Sequence, residues 1–392
     1  MRFSTRTAWD LSESPLAQAL RARRATGLPL HDLTASNPTQ CGFAYNEADI
    51  LAPLSGPAAL TYDPDPRGLL SAREGVSRYY ASHGAFVPAE QLILTTSTSE
   101  AYSFLFRLLC DSGDEVLLFQ PSYPLFDFLA QIDDVRLVPS PLFYDHGWQI
   151  DLTGLQERVT SRTRAIAVVH PNNPTGHCTR VEERRALETL CAERRLALIV
   201  DEVFLDYPFP GYAPHSFADG DHPALTFVLS GISKIAALPQ MKAAWIAVFG
   251  PERERSGALA RLEIIADTFL SMNAPVQNAL PAWLAGSAAL QLQIRARTQA
   301  NLQTLDGWLD QHPAISRLTV EAGWYAVLRL PALEKDEELA IRLIADHGVS
   351  VHPGYFFGFP GDGWFVVSLL TPEDTVRKGL AAMGKALPDF TR

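Results

Sequence analysis

Residues 165–176 read AIAVVHPNNPTG, and this stretch decides the fold. The run of consecutive apolar residues at its start indicates a strand that is buried on both faces, as in a parallel sheet covered by helices. The prolines and the glycine that follow fix a turn at the carboxyl end of that strand. An open α/β sheet binds its ligands at this edge, so Asn172 and Asn173 are candidate ligand contacts. Asparagine is also a common turn former, and the segment alone leaves both roles open.

Other short apolar runs alternate with longer stretches of helical spacing through the middle of the chain. The runs are Glu115–Phe119, Ala197–Val200, Thr226–Leu229 and Ala244–Phe249. The stretches Arg180–Arg195 and Glu252–Leu270 mix charged and apolar residues at helical spacing, so they are predicted to cover the sheet. The sequence therefore predicts an α/β domain built on a mostly parallel sheet.

The pattern of predicted helices and strands changes after about residue 291. A long helical stretch precedes a strand at Gly323–Leu330, a charged helix near Glu334–His347 and another strand at Trp364–Leu369. This pattern predicts a smaller α+β domain, which the first forty or so residues are expected to join. The predicted large domain is therefore 41–290, and the predicted small domain combines 1–40 with 291–392.

Composition and charge exclude several classes of protein. Lys and Arg total 33 against 44 Asp and Glu, which argues against a surface built to hold nucleic acid or anionic lipid. The 4 cysteines have neither CxxC nor His/Cys ligand spacing, which disfavours a metal site and a disulfide framework and favours a reducing compartment. No apolar run approaches the roughly 20 residues of a membrane helix. We therefore expect a cytoplasmic protein without metal, nucleic acid or membrane partner.

A candidate anion site lies at residues 95–100, which read TTSTSE. Ser97 and Glu100 have the spacing of a capping box, so a helix is predicted to begin here. Backbone N–H groups at a helix start, together with the hydroxyls of Ser97, Thr98 and Ser99, are suited to hold a phosphate. An ordinary helix cap explains the same pattern.

Two ionisable side chains follow neighbouring strands of the predicted sheet. Asp201 ends one apolar run, and Lys234 follows the next one in the segment SGISK. Most lysines are solvated, but Lys234 is flanked by Ile232 and Ile235. Because desolvation lowers the pKa of a lysine, a buried Lys234 is expected to supply a neutral, nucleophilic amine.

Together these elements resemble the class I and II aminotransferases, which are fold type I enzymes that depend on pyridoxal 5'-phosphate. The matching elements, in chain order, are Asn37-Pro38, Tyr62 with Gly68, the cluster 97–99, Pro121-Ser122-Tyr123, Asn172 to Gly176, Asp201-Glu202 and Ser233-Lys234. The resemblance covers nearly the whole chain. It implies a mostly parallel seven-stranded sheet in the large α/β domain, a smaller α+β domain, and a homodimer with shared active sites.

The resemblance also implies a role for each matching residue. Lys234 would hold the cofactor as a Schiff base and move a proton at the substrate α-carbon. Asp201 would pair with the pyridine nitrogen, Asn173 would donate to the phenolic oxygen, and Tyr123 would stack on the ring. The implied phosphate contacts are Ser97, Thr98, Ser99, Ser233 and Lys242, with Tyr62 from the neighbouring subunit. The implied substrate contacts are Asn37, Tyr355 and the position occupied by Val366.

Three positions depart from the family pattern. Phe204 stands where the family usually has a tyrosine that donates to the phenolic oxygen, and Lys242 stands where it has a phosphate-binding arginine. Val366 replaces the arginine that usually binds the α-carboxylate of the substrate. Either another cation makes this contact or the amino donor lacks a conventional carboxylate contact. The candidate cations are Arg24, Arg67 and Arg329.

The leading prediction is an aminotransferase that moves an amino group from an amino acid or amine to a keto acid. The group would pass through the Lys234 Schiff base and pyridoxamine phosphate. A lyase or another non-transaminating enzyme of the same fold is the alternative, because such enzymes use the same lysine and aspartate. A cofactor-binding protein without catalysis is a third interpretation, which the presence of both Lys234 and Asp201 disfavours.

Overall fold

The computed structural model describes residues 1–387. In chain order the helices are α1 (Pro15–Ala25), α2 (Glu47–Leu51), α3 (Leu70–Ser82), α4 (Thr98–Leu109), α5 (Leu125–Ile132), α6 (Leu152–Arg158), α7 (Val181–Arg194), α8 (Ile232–Ile235), α9 (Glu252–Phe269), α10 (Ala274–Gly286), α11 (Ala288–Leu309), α12 (Asp336–Arg342) and α13 (Glu373–Ala386). The strands are β1 (His31–Asp32), β2 (Leu92–Thr95), β3 (Glu115–Gln120), β4 (Arg136–Tyr144), β5 (Trp148–Ile150), β6 (Thr163–Val169), β7 (Ala197–Asp201), β8 (Thr226–Gly231), β9 (Ala244–Phe249), β10 (Ser316–Arg317), β11 (Tyr325–Arg329), β12 (Val349–Ser350), β13 (His352–Pro353) and β14 (Trp364–Ser368).

The large sheet has 8 strands in the order β2-β9-β8-β7-β6-β3-β4-β5. Strands β8, β7, β6, β3 and β4 are mutually parallel, while β9 and β5 run antiparallel to their neighbours. The expected count of seven is thereby corrected to eight. The added strand is β5, which has only 3 residues and forms a hairpin with the end of β4. Such a short strand leaves no recognisable apolar run in the sequence.

The central strands are buried along their whole length, which explains their continuous hydrophobicity. Every residue of β7, β8 and β9 is buried. Leu198 and Val200 point into one apolar core, whereas Ala197 and Ile199 point into a second core on the other face. The sheet is therefore covered on both sides, and only the strand ends are free to present polar groups.

A second, antiparallel sheet lies in the C-terminal part of the chain. Its order is β10-β11-β14-β13, and a third apolar core joins it to α1, α12 and α13. The charged helix predicted near Glu334–His347 is α12, which continues as a π-helical turn over Leu343–His347. Strand β1 pairs with β12, so the N-terminal segment contacts the C-terminal part. The domain boundaries at 41 and 290 stay a prediction, and residues 388–392 lie outside the described residues.

The carboxyl ends of the parallel strands meet at one edge of the large sheet. The register pairs Val169 with Asp201 and Asp201 with Leu229, so the turn after β6 and the segment after β8 flank Asp201. Gly231 permits a close approach here, because a Cβ at this position would lie 2.9 Å from the carbonyl oxygen of Ala243. The chain thus brings the three predicted polar segments to the same edge.

Two kinds of feature are absent from residues 1–387. None of their helices combines the length and the apolar composition that crossing a bilayer requires. They also contain no cluster of three or more His, Cys, Asp or Glu side chains arranged to hold a metal ion. All 4 cysteines are free thiols.

A buried polar network ties α3 to the loop after β7. The Tyr79 hydroxyl donates to Asp206 Oδ2 at 2.9 Å, and His83 Nε2 lies 3.0 Å from Asp206 Oδ1. The hydrogen bond to Asp206 raises the pKa of His83, although partial burial opposes it. The ion pair therefore strengthens as the imidazole becomes protonated.

Replacing His83 by Gln should destabilise the fold more in acid than in base. The pKa of His83 is higher in the folded protein than in the unfolded chain. Its contribution is therefore complete below the unfolded value of about 6.5 and fades as the pH rises through the folded pKa. We expect a loss of about 1.5 kcal/mol at pH ~5.5 and much less at pH ~8.5, measured by thermal unfolding. An equal loss at both pH values, or the same effect from the exposed control His146→Gln, would contradict this.

Candidate active site

Lys234 lies in α8, directly after β8, with its amine enclosed by aromatic rings. Its Nζ is 4.8 Å from the ring centre of Trp324 and 5.6 Å from that of Phe204. Burial lowers the pKa of Lys234 to about 8, although the charge of Asp201 opposes this shift. A substantial fraction of the amine is therefore neutral near pH ~8, as a nucleophile requires.

Asp201 is the last residue of β7, and its carboxylate is buried. Burial raises its pKa to about 7, and the main opposing influences are the Val203 N–H and the charge of Lys234. The Val203 N–H donates to Asp201 Oδ1 at 3.2 Å. A cation placed opposite this carboxylate would stabilise its ionised form.

The structure separates the roles of the two asparagines in the turn after β6. Asn172 Oδ1 accepts a hydrogen bond from the Thr175 hydroxyl at 2.7 Å, so Asn172 forms the turn. Asn173 Oδ1 is buried, and the described chain offers it no hydrogen-bond partner. Gly176 has φ +73°, and a Cβ there would lie 2.6 Å from the Ala322 carbonyl oxygen. The turn is thus packed tightly while the Asn173 side chain is left for a ligand.

The predicted phosphate site coincides with the start of α4. Ser97 caps the helix, its hydroxyl oxygen accepting the Glu100 N–H at 3.1 Å. The Glu100 carboxylate accepts the Thr96 N–H at 2.7 Å, so only half of the predicted capping box forms. The N–H groups of Thr98 and Ser99 find no acceptor among residues 1–387. These two donors point out of the positive end of the helix, which suits an anion.

Two further predicted phosphate contacts lie in the segment after β8. Ser233 directly precedes Lys234 in α8. Lys242 follows the 3-10 turn Pro239–Met241 and is exposed, with a left-handed φ of +54°. Lys242 forms no ion pair with any described residue, so its ammonium group is free to meet an anion.

The two predicted tyrosine contacts are both exposed in the single chain. Tyr123 follows β3 at the carboxyl edge of the sheet and has a relative exposure of 43%. Tyr62 precedes α3 and has a relative exposure of 79%, lining a surface depression with Gly68 and Met272. An exposed ring of this size is available to a second molecule.

The three predicted substrate contacts have neighbours of their own. Asn37 Oδ1 accepts the Thr39 hydroxyl at 2.8 Å and caps a short 3-10 turn. The Tyr355 hydroxyl donates to Glu337 at 3.0 Å, while Val366 is fully buried in β14. The role of these three residues in binding substrate stays a prediction.

Two of the three arginines considered as replacements for the missing one have other partners, and the third is exposed. Arg329 donates to the Asp362 carbonyl oxygen at 2.7 Å. Arg67 forms an ion pair with Glu263 at 2.6 Å. Arg24 is exposed on α1. Each guanidinium group is therefore held by its own surroundings or faces solvent.

Glu321 is a site residue that the sequence did not reveal. Its buried carboxylate accepts the Cys178 N–H at 2.8 Å and forms an ion pair with Arg180. The Ala322 N–H donates to the Gly176 carbonyl oxygen at 3.1 Å. These contacts tie the turn carrying Asn173 to the segment whose Trp324 covers Lys234. The partners are 141 to 143 residues apart, and no local pattern predicts such a pairing.

Tyr207 does not supply the hydroxyl that is missing at Phe204. Its hydroxyl donates to the backbone carbonyl oxygen of Lys234 at 2.6 Å. Burial raises the pKa of Tyr207 well above its usual value, so the hydroxyl stays a donor. Tyr207 thus fixes the backbone of Lys234.

The family description "Aminotransferase class I and II" matches residues 54–383. The chain belongs to this family. It is 27% identical to an alanine aminotransferase of Mycobacterium bovis, an alignment that covers 88% of this chain and 82% of that protein. It is 25% identical to a glutamate–pyruvate aminotransferase of Escherichia coli K12, with 97% and 96% covered. The protein is an aminotransferase, as predicted.

Solved structures confirm the fold of this aminotransferase. An alanine aminotransferase from Pyrococcus furiosus matches with a TM-score of 0.90 at 22% identity, covering 99% of this chain and 100% of that one. An aspartate aminotransferase variant from Thermus thermophilus matches with a TM-score of 0.86 at 23% identity, with the same coverage. The architecture is therefore that of the fold type I aminotransferases.

The donor set of this aminotransferase fits pyridoxal 5'-phosphate. The buried Lys234 amine suits an aldehyde, and the Asp201 carboxylate suits a protonated ring nitrogen. The Asn173 side chain, whose Oδ1 has no partner among the described residues, would use its amide NH2 group to donate to the phenolic oxygen. The free N–H groups of Thr98 and Ser99 suit the phosphate.

Replacing Asp201 by Asn should shift the titration of Lys234 to lower pH in the cofactor-free protein. The charge of Asp201 raises the pKa of Lys234, so its removal leaves burial unopposed. The pH dependence of Lys234 acylation, followed by mass spectrometry between pH ~6 and ~10, measures this. Lys335, which is exposed, serves as the internal control. An unchanged or upward shift for Lys234 would contradict the coupling.

Proposed function

We propose that this aminotransferase works with pyridoxal 5'-phosphate attached to Lys234. The observation that carries the proposal is the buried Lys234 amine, which shares one sheet edge with Asp201 and with the unpartnered Asn173 side chain. A lysine with no role beyond the surface would be solvated, which does not agree with the burial of the Lys234 amine. A regulatory protein without catalysis has no need of an amine whose pKa lies near 8.

Pyridoxal phosphate, when bound, supplies a ring that withdraws electrons from the substrate α-carbon. Lys234 would hold it through its amine and would move a proton at that carbon. Asp201 would place a negative charge opposite the ring nitrogen, and the Asn173 amide would donate to the phenolic oxygen. Tyr123 would cover one face of the ring. The phosphate would be bound by Ser97, Thr98 and Ser99 at the start of α4. Ser233 and Lys242 would contribute to the same contact.

We propose a homodimer in which Tyr62 reaches the phosphate site of the second subunit. Three exposed leucines lie near Tyr62 in the sequence, between the end of α2 and the start of α3. They are Leu51, Leu60 and Leu70, with relative exposures of 54%, 92% and 50%. So many exposed apolar side chains in one short stretch of chain support its burial against a second copy.

A cytoplasmic location is also proposed. Cys41 and Cys191 are fully buried free thiols, and burial raises the pKa of each, to about 11 and about 12. Neither thiol is poised to react or to form a disulfide. Free cysteines of this kind suit a reducing compartment.

Replacing Lys234 by Ala should abolish transamination while leaving the fold intact. We expect activity to fall by roughly 10²–10⁴-fold, because the proton transfer loses its only positioned base. Amino transfer to a keto acid and the thermal midpoint would be measured together. The control Lys335→Ala removes an exposed amine and should change neither. Turnover by the Lys234 variant at more than about a tenth of the wild-type rate would refute the assignment. Substrate cleavage without amino transfer by the wild type would favour the lyase.

The amino donor is proposed to bind without an arginine contact from this chain. Position 366 is a buried valine that pairs with Val327 in the small sheet, in the same apolar core as Trp324 and Phe357. A hydrogen bond to a charged group contributes about 1.5–3 kcal/mol, so losing a two-pronged guanidinium removes the main preference for a carboxylate. The donor is accordingly an amine, or an amino acid whose carboxylate contributes little to binding.

Amines and their parent amino acids should therefore convert the bound cofactor at similar rates. Matched pairs, such as phenethylamine with phenylalanine and ethylamine with alanine, would be mixed with the enzyme and followed by absorbance. We expect second-order rate constants within about tenfold in each pair, a difference of ~1.4 kcal/mol. A preference of more than about a hundredfold for the amino acids would show that a cation from elsewhere binds the carboxylate.

A further inference from the structure

Tyr102 carries a buried hydroxyl group that the proposed chemistry has not used. Its side chain has a relative exposure of 2%, on the face of α4 that packs against the large sheet. Its ring meets the edge of Phe126 at a centroid distance of 4.8 Å, which fixes the ring plane. The hydroxyl makes no hydrogen bond of good geometry with any described residue. Burying a hydroxyl without a hydrogen-bond partner costs free energy. The groups next to this hydroxyl therefore indicate its function.

The ionisable neighbour of this hydroxyl is Asp201. Burial and the charge of Asp201 raise the pKa of Tyr102 well above its usual value, so the hydroxyl keeps its proton. Val203 supplies a backbone N–H to Asp201 Oδ1. A carboxylate has two oxygens that each accept more than one hydrogen bond, so this leaves capacity for a further donor. Tyr102 is therefore a permanent donor placed beside an unsaturated acceptor.

We propose that Tyr102 is a positioning residue for Asp201, whose carboxylate it holds ionised and aimed at the ring nitrogen of the cofactor. This inference rests on the proposed function, because it concerns the same cofactor site.

The site needs such a donor because burial disfavours the charged form of Asp201. Burial raises the pKa of this carboxyl to about 7, and a protonated carboxyl cannot pair with a protonated ring nitrogen. Lys234 also opposes the shift, but its charge disappears when its own amine loses a proton. The Tyr102 hydroxyl and the Val203 N–H, in contrast, remain donors at every working pH.

The test compares two cofactors in the wild type and in Tyr102→Phe. The cofactor-free protein would be titrated with pyridoxal phosphate and with a deaza analogue in which carbon replaces the ring nitrogen. Because Tyr102 acts through Asp201 on that nitrogen, the variant should bind pyridoxal phosphate about tenfold more weakly. Its affinity for the deaza analogue should change less than about twofold. Thermal unfolding of the cofactor-free variant checks that the core is intact.

An equal loss of affinity for both compounds would overturn the role of Tyr102. A merely structural defect would weaken both compounds alike, whether or not they carry the ring nitrogen. Asp201→Asn provides the matched background. Adding Tyr102→Phe to it should produce no further loss for pyridoxal phosphate, and a full additional loss would also overturn the proposal. If the wild type bound neither compound, the proposed function itself would fall. These outcomes separate the two claims.

Discussion

The structure depends on the burial of one amine opposite one carboxylate at the edge of a parallel sheet. Burial lowers the pKa of Lys234 to about 8 and raises that of Asp201 to about 7, and each charge resists the shift of the other. Either group alone would be expensive to bury. The parallel register of β7 and β8 makes the pair possible, because it places both strand ends at the same edge.

That register constrains the remaining architecture. Parallel strands need crossover connections, so helices cover both faces and the apolar cores form on either side of the sheet. Only the strand ends can then carry polar groups, which explains why Asn173, Asp201 and Lys234 all follow strands. The segment that precedes β11 contributes as well, because Glu321 anchors it and its Trp324 ring lies beside the amine.

Local patterns predicted the parts of the site that depend on neighbouring residues. Continuous apolar runs indicated the buried strands, and the flanking isoleucines indicated that Lys234 is desolvated. Contacts between distant segments produce no local pattern in the sequence. The sequence could not show that Glu321 holds Cys178 and Arg180, or that Tyr102 lies beside Asp201. The local pattern also left Asn172 and Asn173 equivalent, and only the family resemblance pointed to Asn173, because the choice depends on which side chain forms hydrogen bonds within the turn.

The three departures from the family pattern fall into two groups with different consequences. Lys242 keeps the positive charge of the arginine that it replaces, and Asp201 and Lys234 are unchanged, so the proposed proton chemistry has its essential groups. Phe204 removes a hydroxyl beside Lys234 that Tyr207 does not restore, since its own hydroxyl is bound to the backbone. Val366 removes a charge from the small sheet, where apolar packing fills the position. The groups proposed for the reaction thus lie at the edge of the large sheet, whereas the position of the missing arginine lies in the antiparallel sheet.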